Sequence, residues 1–332
     1  MLIGLTYDLR DDYLAEGFSE EASAEFDAIE TIVAIEQTLI SLGYEVERIG
    51  NVKSLVQRLA NNCRWDMVFN ICEGVSGIGR EAQVPCLLEA YNIPYVFSTP
   101  EVMSLTMDKA IAKQIVRNVG INTPTYMVVR NIADLEQFYK YSLSFPLFAK
   151  PIAEGTGKGI DSRSQIEEKA SLYSKCENLL ATYKQPVLIE QYLSGRDLTV
   201  GIIGTGDSAR VVGVLETRYK EGVKDLNQTL YNKENCAKVL DYYLITDDTA
   251  KRAAQIALKC WQALGCRDGG RVDLRCDKFN VPHFLEVNPL AGLKPGYSDL
   301  AILAEKAGTN YQQLIKGIMD SALSRYKVAS YS

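Results

Sequence analysis

The first 98 residues alternate between segments typical of strands and segments with helical periodicity. Gly43 supports this assignment, because it stands where a helix would end just before a strand. Such alternation predicts a parallel sheet covered by helices on both faces, with a ligand crevice at the carboxyl ends of its strands. The predicted strands are 1–7, 44–49, 66–71 and 94–97, and the predicted helices are 25–42, 52–62 and 81–91.

The chain has 332 residues, more than one ordinary core holds, so further domains are expected. One helix is predicted over 100–119, and another over 164–183 begins with a capping box of Ser164 and Glu167. Beyond residue 191 the pattern becomes rich in strands. We therefore expect an α/β protein with three domains, at residues 1–98, 99–191 and 192–332.

The bulk composition argues against several classes of function. Hydrophobic residues make up 47% of the chain and charged residues 23%, as in ordinary globular proteins. The net charge of −6, without a basic arm, argues against nonspecific binding to nucleic acid or to an anionic membrane. No apolar run approaches a membrane span, and the start of the chain lacks the pattern of a signal peptide. The eight cysteines show no C-x-x-C pair, which predicts reduced thiols and a cytoplasmic location.

The segment 271–288 has the pattern of a β-hairpin that presents oxygen donors on one face. Alternation along its two strands brings Asp273, Glu286 and Asn288 together beside Arg271. Two carboxylates and an amide suit Mg²⁺, although acids that merely solvate a strand edge are the alternative. The opposite, core-facing side is expected to carry Leu285 and Val287. The single histidine, His283, is expected away from the metal face, which argues against a Ser-His-Asp or Cys-His nucleophile.

Two loops have the composition of a nucleotide site. An apolar strand leads from Phe145 to Lys150, and glycines follow at 155, 157 and 159, whose backbone N–H groups can surround phosphate oxygens. The loop matches neither the Walker A nor the dinucleotide pattern, so a plain glycine-rich hairpin is the alternative. The second stretch, 187–197, joins two strands and offers Glu190 and Asp197 with apolar faces from Tyr192 and Leu193; a domain linker is its alternative. Lys109 would face the same cleft.

The order of these features resembles the ATP-grasp superfamily and, in detail, its D-alanine–D-alanine ligase family. The resemblance runs from about residue 66 to 326 and implies an ATP-grasp fold preceded by a Rossmann-like parallel-sheet domain. Its motifs are LEAYNIPY at 88–95, MDK at 107–109, AKP with EG at 149–155, IEQYLSGRD at 189–197, and GRVD with LEVN at 270–288.

The resemblance also implies roles for individual residues. Lys109, Lys150, Gly155 and Gly157 would contact ATP phosphates, and Lys233 would do so from a mobile loop. Adenosine would be held by Glu190, Tyr192, Leu193 and Asp197. Two Mg²⁺ ions, with Mn²⁺ as a substitute, would be bound by Asp273, Glu286 and Asn288. ATP would phosphorylate a carboxylate, and an amine would attack the acyl phosphate, with Arg271 and the Gly292 N–H stabilising the oxyanion. A homodimer is implied as well.

The sequence departs from the family on the amino-acid side. Thr156 stands in place of the family's loop serine, and the glutamate that holds the first substrate's amine has no clean match, with Asp27 or Glu30 as candidates. Lys294 and Ser298 are candidates for binding a substrate carboxylate. Four functions remain open: a D-alanine–D-alanine ligase, a ligase joining an amino acid to a different carboxylate, a non-catalytic nucleotide-binding protein, and an enzyme that stops at the acyl phosphate.

Overall fold

The computed structural model of the protein describes residues 1–222, Asn232 and residues 235–329. Lys233 and part of the polar segment 218–246 lie outside the described residues. The strands are β1 (Leu2–Tyr7), β2 (Glu45–Gly50), β3 (Met67–Ile71), β4 (Tyr126–Val129), β5 (Leu147–Pro151), β6 (Gln165–Ile166), β7 (Val187–Gln191), β8 (Asp197–Ile203), β9 (Arg210–Tyr219), β10 (Leu240–Leu244), β11 (Gly269–Cys276) and β12 (Pro282–Asn288). The α-helices are α1 (Arg10–Ala15), α2 (Ile29–Ser41), α3 (Val52–Ala60), α4 (Gln83–Ala90), α5 (Pro100–Met107), α6 (Lys109–Asn118), α7 (Lys169–Tyr183), α8 (Cys236–Val239), α9 (Asp248–Ala263), α10 (Asp299–Lys306) and α11 (Tyr311–Ala329).

The amino-terminal sheet is parallel, with the strand order β2-β1-β3. The strand predicted at 94–97 is too long, because only Tyr95 pairs with Val68, as an isolated parallel bridge. The pairing ends there because Phe97 adopts a positive φ of 80° and its N–H donates to the Asp268 carboxylate at 2.8 Å. The first predicted region therefore forms a small α/β layer with three paired strands.

Two antiparallel sheets follow along the chain. Their strand orders are β4-β7-β5-β6 and β10-β9-β8-β11-β12. Each of the three sheets takes all its strands from one of the three expected domain ranges, although the domain boundaries themselves stay predictions. Helices α10 and α11 pack in one hydrophobic cluster with the amino-terminal sheet, through Leu300 and Ile315 against Ile3 and Leu5. This packing fixes the first and third sheets beside the cleft between the second and third.

Two helix predictions are wrong in their boundaries. The helix predicted over 100–119 is divided at Asp108, whose side chain accepts hydrogen bonds from the N–H groups of Ala110 and Ile111 and caps α6. The capping box of Ser164 and Glu167 does not form, because Gln165–Ile166 pair with β5 and the helix begins only at Lys169. Division at Asp108 places Lys109 at the first turn of α6, at the mouth of the cleft.

The hairpin contains a β-bulge that the alternating pattern did not predict. Asp273 pairs with Glu286, but the next residue, Leu274, pairs with Phe284, so that Leu285 has no partner on β11. Phe284 and Val287 are buried, whereas Leu285 is only partly buried and lines the cleft. The prediction that Leu285 faces the core is therefore wrong, and the bulge shifts the alternation by one residue.

No α-helix within the described parts of the chain is long and apolar enough to cross a membrane.

Candidate functional site

A cavity lies between the second and third sheets and contains about 920 Å³ of empty space, part of it open to solvent. Strand ends and loops surround it, because the two antiparallel sheets face each other across the cleft. The structure brings to this first cavity every described residue expected to contact the nucleotide: Lys109, Lys150, Gly155, Gly157, Glu190, Tyr192, Leu193 and Asp197. Thr156, Arg271, Asp273 and Glu286 line it as well.

Five charged side chains of alternating sign form a line beside the first cavity, which we call the charge chain (Lys113, Glu190, Lys150, Glu286, Lys109). Glu190 lies 3.0 Å from the Lys113 ammonium and 3.2 Å from that of Lys150. Glu286 lies 3.7 Å from Lys150 and 3.6 Å from Lys109. The Lys109 ammonium also donates to the backbone carbonyl of Glu154 at 2.7 Å. With three lysines and two glutamates, the charge chain carries one net positive charge, which suits a polyanionic ligand.

The pKa shifts of Glu190 and Lys150 in the charge chain follow from their burial and their ion pairs. Burial alone would favour neutral Glu190, but Lys113 and Lys150 outweigh it and hold the pKa of its carboxyl below the ordinary value. Burial would likewise lower the pKa of Lys150, and Glu190 with Glu286 more than offsets this, so the net shift is upward. Glu190 and Lys150 are therefore both charged at neutral pH.

The apolar end of the first cavity lies near Tyr192. Its ring stacks against Phe148 with centroids 6.4 Å apart, and the Arg275 guanidinium lies 5.9 Å from the Tyr192 ring centroid. Arg275 also pairs with Asp197 at 3.3 Å. Flat apolar surfaces beside a carboxylate are suited to a base and a sugar hydroxyl.

The expected metal ligands meet on the hairpin. The Asn288 amide donates to Asp273 at 3.0 Å, and Glu286 is paired with Asp273 across the strands. Arg271 at 2.7 Å and the Thr199 hydroxyl at 2.8 Å also bind Asp273. No group of three or more His, Cys, Asp or Glu side chains suited to a metal exists among the described residues, and this set has two acids and one amide. Three hard oxygen donors at the edge of a polyphosphate-sized cavity fit Mg²⁺. His283 lies instead 3.3 Å from Asp277 in the hairpin turn and does not line the first cavity.

The glycine loop (residues 154–159) is held from the amino-terminal region. The Gly155 N–H donates to Glu25 at 2.7 Å, and Glu25 also pairs with Lys158 at 3.0 Å and with Arg80 at 2.9 Å. Thr156 has a φ of +51°, a left-handed conformation that is uncommon for a β-branched residue. The loop is therefore fixed in a strained shape that turns Thr156 to the boundary between two cavities.

A second cavity, with about 720 Å³ of empty space, adjoins the first. Asn288 and Gly292 line the second cavity but not the first, as do three acids: Glu25, Glu73 and Glu81. Arg271 reaches both cavities and pairs with Asp299 at 3.2 Å. Burial would lower the pKa of Arg271, but Asp273, Asp299 and Glu286 outweigh it and raise the pKa. The residues common to both cavities are Lys109, Glu154, Gly155, Thr156, Arg271 and Glu286.

Two of those acids have no direct partner for their carboxylates in the part of the chain that the structure describes. Glu73 and Glu81 form no hydrogen bond through their carboxylates and no ion pair with any described residue. Burial, reinforced for Glu73 by the neighbouring charge of Glu81, raises the pKa of Glu73 well above its ordinary value, and burial raises that of Glu81 to about 7. A cationic group entering the second cavity would relieve this strain.

The residues predicted to bind the amino-acid substrate line neither cavity: Asp27, Glu30, Lys294 and Ser298. Glu30 and Lys294 pair with each other at 3.5 Å on the surface, and Ser298 accepts the backbone N–H of Lys294. Burial raises the pKa of Asp27 to about 7. Sequence reasoning missed Glu25, Glu73, Glu81 and Lys113. For Glu73 a signal existed, because it follows β3 at the carboxyl end of a parallel strand.

Comparison with known proteins agrees with this geometry. A family profile described as the D-ala D-ala ligase C-terminus matches residues 115–320. The D-alanine–D-alanine ligase of Bordetella pertussis is 31% identical over 296 residues, which cover 88% of this chain and 89% of that protein. The ligase of the same name from Aquifex aeolicus is 30% identical over 298 residues, covering 88% and 94%.

The fold also matches a solved structure. The D-alanine–D-alanine ligase of Bacillus anthracis, crystallised in complex with ATP, superimposes with a TM-score of 0.75 at 24% identity, and the match covers 99% of both chains. That likeness confirms the ATP-grasp fold expected from the sequence. The family profile and the two relatives show the family in addition to the fold. This chain belongs to the D-alanine–D-alanine ligase family, whose members are ATP-dependent ligases that form C–N bonds.

Proposed function

We propose that this protein joins a carboxylate to an amine at the expense of ATP, through an acyl phosphate, with release of ADP and phosphate. The observation that carries the proposal is the junction of two cavities. One is lined by the glycine loop and by every member of the charge chain except Lys113, the other is lined by acids, and Arg271 and Glu286 border both. A phosphate donor in the first cavity and a carboxylate in the second would meet at that junction.

In the first cavity, each group is assigned one part of ATP. Lys109 and Lys150 bind the phosphates, and the glycine loop contributes backbone N–H groups. Tyr192 and Leu193 pack against the adenine, with Glu190 near its amine, and Asp197 accepts from the ribose hydroxyls. Lys233 is retained as a further phosphate ligand by the family resemblance alone.

Asp273, Glu286 and Asn288 would hold Mg²⁺. When bound, Mg²⁺ neutralises charge on the phosphates and favours phosphoryl transfer. The Arg271 guanidinium is oriented by Asp273 and Asp299, at 2.7 and 3.2 Å, so it is fixed before substrate arrives. Arg271 and the Gly292 N–H would then stabilise the oxyanion that forms when the amine attacks, and Thr156 would orient the substrate at the junction.

The charge of the second cavity favours a substrate that carries an ammonium group near Glu73 and Glu81. An amino acid such as D-alanine, the substrate named for the relatives, meets this requirement. The same cavity also favours the second candidate, a ligase for a different carboxylate, because Asp27, Glu30, Lys294 and Ser298 do not line it. The acids of the second cavity would then bind the ammonium group of a substrate, whatever side chain that substrate carries.

The experiment that tests the proposal measures ADP release with Mg²⁺ and ATP, using D- and L-amino acids singly and in pairs, with mass spectrometry of the products. D-alanine alone should give its dipeptide if the family activity is retained. Turnover only with another pair would support the second candidate. ADP without an amide product would indicate an enzyme that stops at the acyl phosphate, and ATP binding without ADP from any pair would contradict the proposal. Two Mg²⁺ ions or Mn²⁺, a homodimer and a cytoplasmic location stay predictions.

A further inference from the structure

Lys113 is a lysine with no exposed surface, on the face of α6 that packs against the third sheet. Its ammonium lies 3.0 Å from Glu190, donates to the Thr123 hydroxyl at 3.1 Å and to the carbonyl of Phe284 at 3.4 Å. It lines neither cavity, so it does not touch a nucleotide bound there. Burial lowers the pKa of Lys113 to about 8, an effect that Glu190 partly offsets, so the amine is mainly charged at neutral pH.

We propose that Lys113 is a positioning residue that neutralises Glu190, so that the positive charge of Lys150 remains available to the phosphates of ATP. This inference rests on the proposed ATP site. Glu190 carries one negative charge and is shared by two lysines at 3.0 and 3.2 Å. Without Lys113, the buried Glu190 and Lys150 form a one-to-one ion pair, and the field of Lys150 toward the cavity is largely cancelled.

The remaining members of the charge chain lead to the same conclusion. Glu286 also pairs with Lys150, at 3.7 Å, but it is one of the residues that would hold Mg²⁺, and its charge would then be shared with the ion. Glu190 is then the acid that stays with Lys150. The balance between Glu190 and its two lysines therefore determines how much positive charge the nucleotide meets. A purely structural lysine would affect stability and would leave the preference for phosphates unchanged.

The test compares the affinities of ATP and adenosine, because their ratio isolates the phosphate contribution and cancels changes in the adenine pocket. Lys113→Met keeps the shape of the side chain and removes its charge. Binding of Mg·ATP and of adenosine to the full chain is measured by calorimetry at pH 7. We expect the ratio of the adenosine Kd to the ATP Kd to fall about tenfold, as the loss of one buried charge near phosphates implies. Lys251→Met, on an exposed lysine, should leave the ratio unchanged.

A double variant, Lys113→Met with Glu190→Gln, keeps the inference testable if the single variant folds poorly. It removes both charges, leaves Lys150 without a buried counter-ion at Glu190, and should restore the ratio to within about twofold of wild type. An unchanged ratio in Lys113→Met, or a low ratio in both variants, overturns the inference. A wild-type chain that binds no ATP would overturn the proposed function and this inference together, whereas wild-type binding with an unchanged variant overturns this inference alone.

Discussion

The Glu25 carboxylate accepts the backbone N–H of Gly155 at 2.7 Å and joins the amino-terminal region to the glycine loop. Arg80 and Lys158 pair with the same carboxylate, and the side chains of Glu25 and Arg80 are only 7% and 8% exposed. Burial would raise the pKa of Glu25, but Arg80 and Lys158 outweigh it and lower the pKa. The ion pairs therefore contribute stability above the ordinary pKa of glutamate, and this contribution is lost as the pH falls through the lowered pKa.

Glu25→Gln is expected to lower the free energy of unfolding by about 2–4 kcal/mol at pH 7, because two largely buried cations lose their nearer carboxylate. They keep only Glu154, which lies 3.3 Å from Lys158 and 3.9 Å from Arg80. The loss should be smaller at acid pH, where wild-type Glu25 is itself protonated. Denaturant unfolding at both pH values measures this. Glu20→Gln, at an ion pair whose acid is 82% exposed, should cost under about 0.5 kcal/mol. Equal losses in the two variants would contradict the role of Glu25.

Glu286→Gln should change the affinity for ATP differently in the presence and in the absence of Mg²⁺. With Mg²⁺ we expect binding about 10- to 100-fold weaker, because a ligand of the ion is lost. Without Mg²⁺, binding should be equal or tighter, because Lys109 and Lys150, at 3.6 and 3.7 Å, no longer share their charge with Glu286. Calorimetry with and without EDTA checks both, and Glu305→Gln on an exposed carboxylate is the control. Weaker binding under both conditions would contradict a metal role.

Gly270→Ala should disrupt the hairpin that carries the proposed metal ligands. An added Cβ would lie 2.4 Å from the carbonyl oxygen of Asn288 and 2.7 Å from the Trp261 ring. Neither group can move easily, so we expect the free energy of unfolding to fall by about 3 kcal/mol or more, or the variant to fail to fold. Gly317→Ala on α11 is the control, since its Cβ would approach Ile203 at 3.3 Å and helix propensity compensates. Similar unfolding midpoints for both variants would contradict the close approach.

The structure brings the residues predicted to bind a nucleotide to one cavity, and the sequence could group those that occupy strands, because alternation determines which face they share. Alternation along β11 and β12 brings Asp273, Glu286 and Asn288 together whatever the details of packing, provided that the strands pair. The bulge at Leu285 could not be predicted, because one unpaired residue leaves no periodic signal. Lys113 was missed because a lysine four residues after Lys109 on a polar helix is normally solvated; only its packing against Glu190 and Phe284 buries it.

The substrate half could not be predicted for a different reason. Glu25 stands at the start of the helix predicted over 25–42, but α2 begins only at Ile29, and the Glu25 carboxylate is held by a contact with Gly155, 130 residues along the chain. Glu81 stands at the start of the helix predicted over 81–91, but it lies in a short 3-10 helix that precedes α4, and the pattern gives no sign that its side chain faces a cavity. Such residues are positioned by tertiary contacts, so local pattern does not distinguish them from solvated acids such as Glu30.

Glu81→Gln is expected to stabilise the protein at alkaline pH and to weaken binding of the amine substrate. Burial raises the pKa of Glu81 from its ordinary value of 4.5 to about 7. The folded protein therefore binds an extra proton between these pH values, and its stability declines as the pH rises from about 4.5 through about 7. Glutamine removes that decline, so the variant should gain about 1–2 kcal/mol of unfolding free energy at pH 8 and little at pH 5. The gain is limited because solvent screens the partly exposed Glu81 side chain.

Unfolding of wild type, Glu81→Gln and the exposed control Glu101→Gln at pH 5 and pH 8 measures the gain. The same variant should raise the KM for the amine-bearing substrate, because it removes one of the two acids proposed to lie near the ammonium, and it should leave the KM for ATP nearly unchanged. A pH-independent gain would mean that Glu81 is not the titrating group. A higher KM for ATP alone would place the acid's influence in the first cavity and contradict its role in selecting the amine. Stability and selectivity are coupled here because the charge that costs folding energy is the one that a cationic substrate relieves.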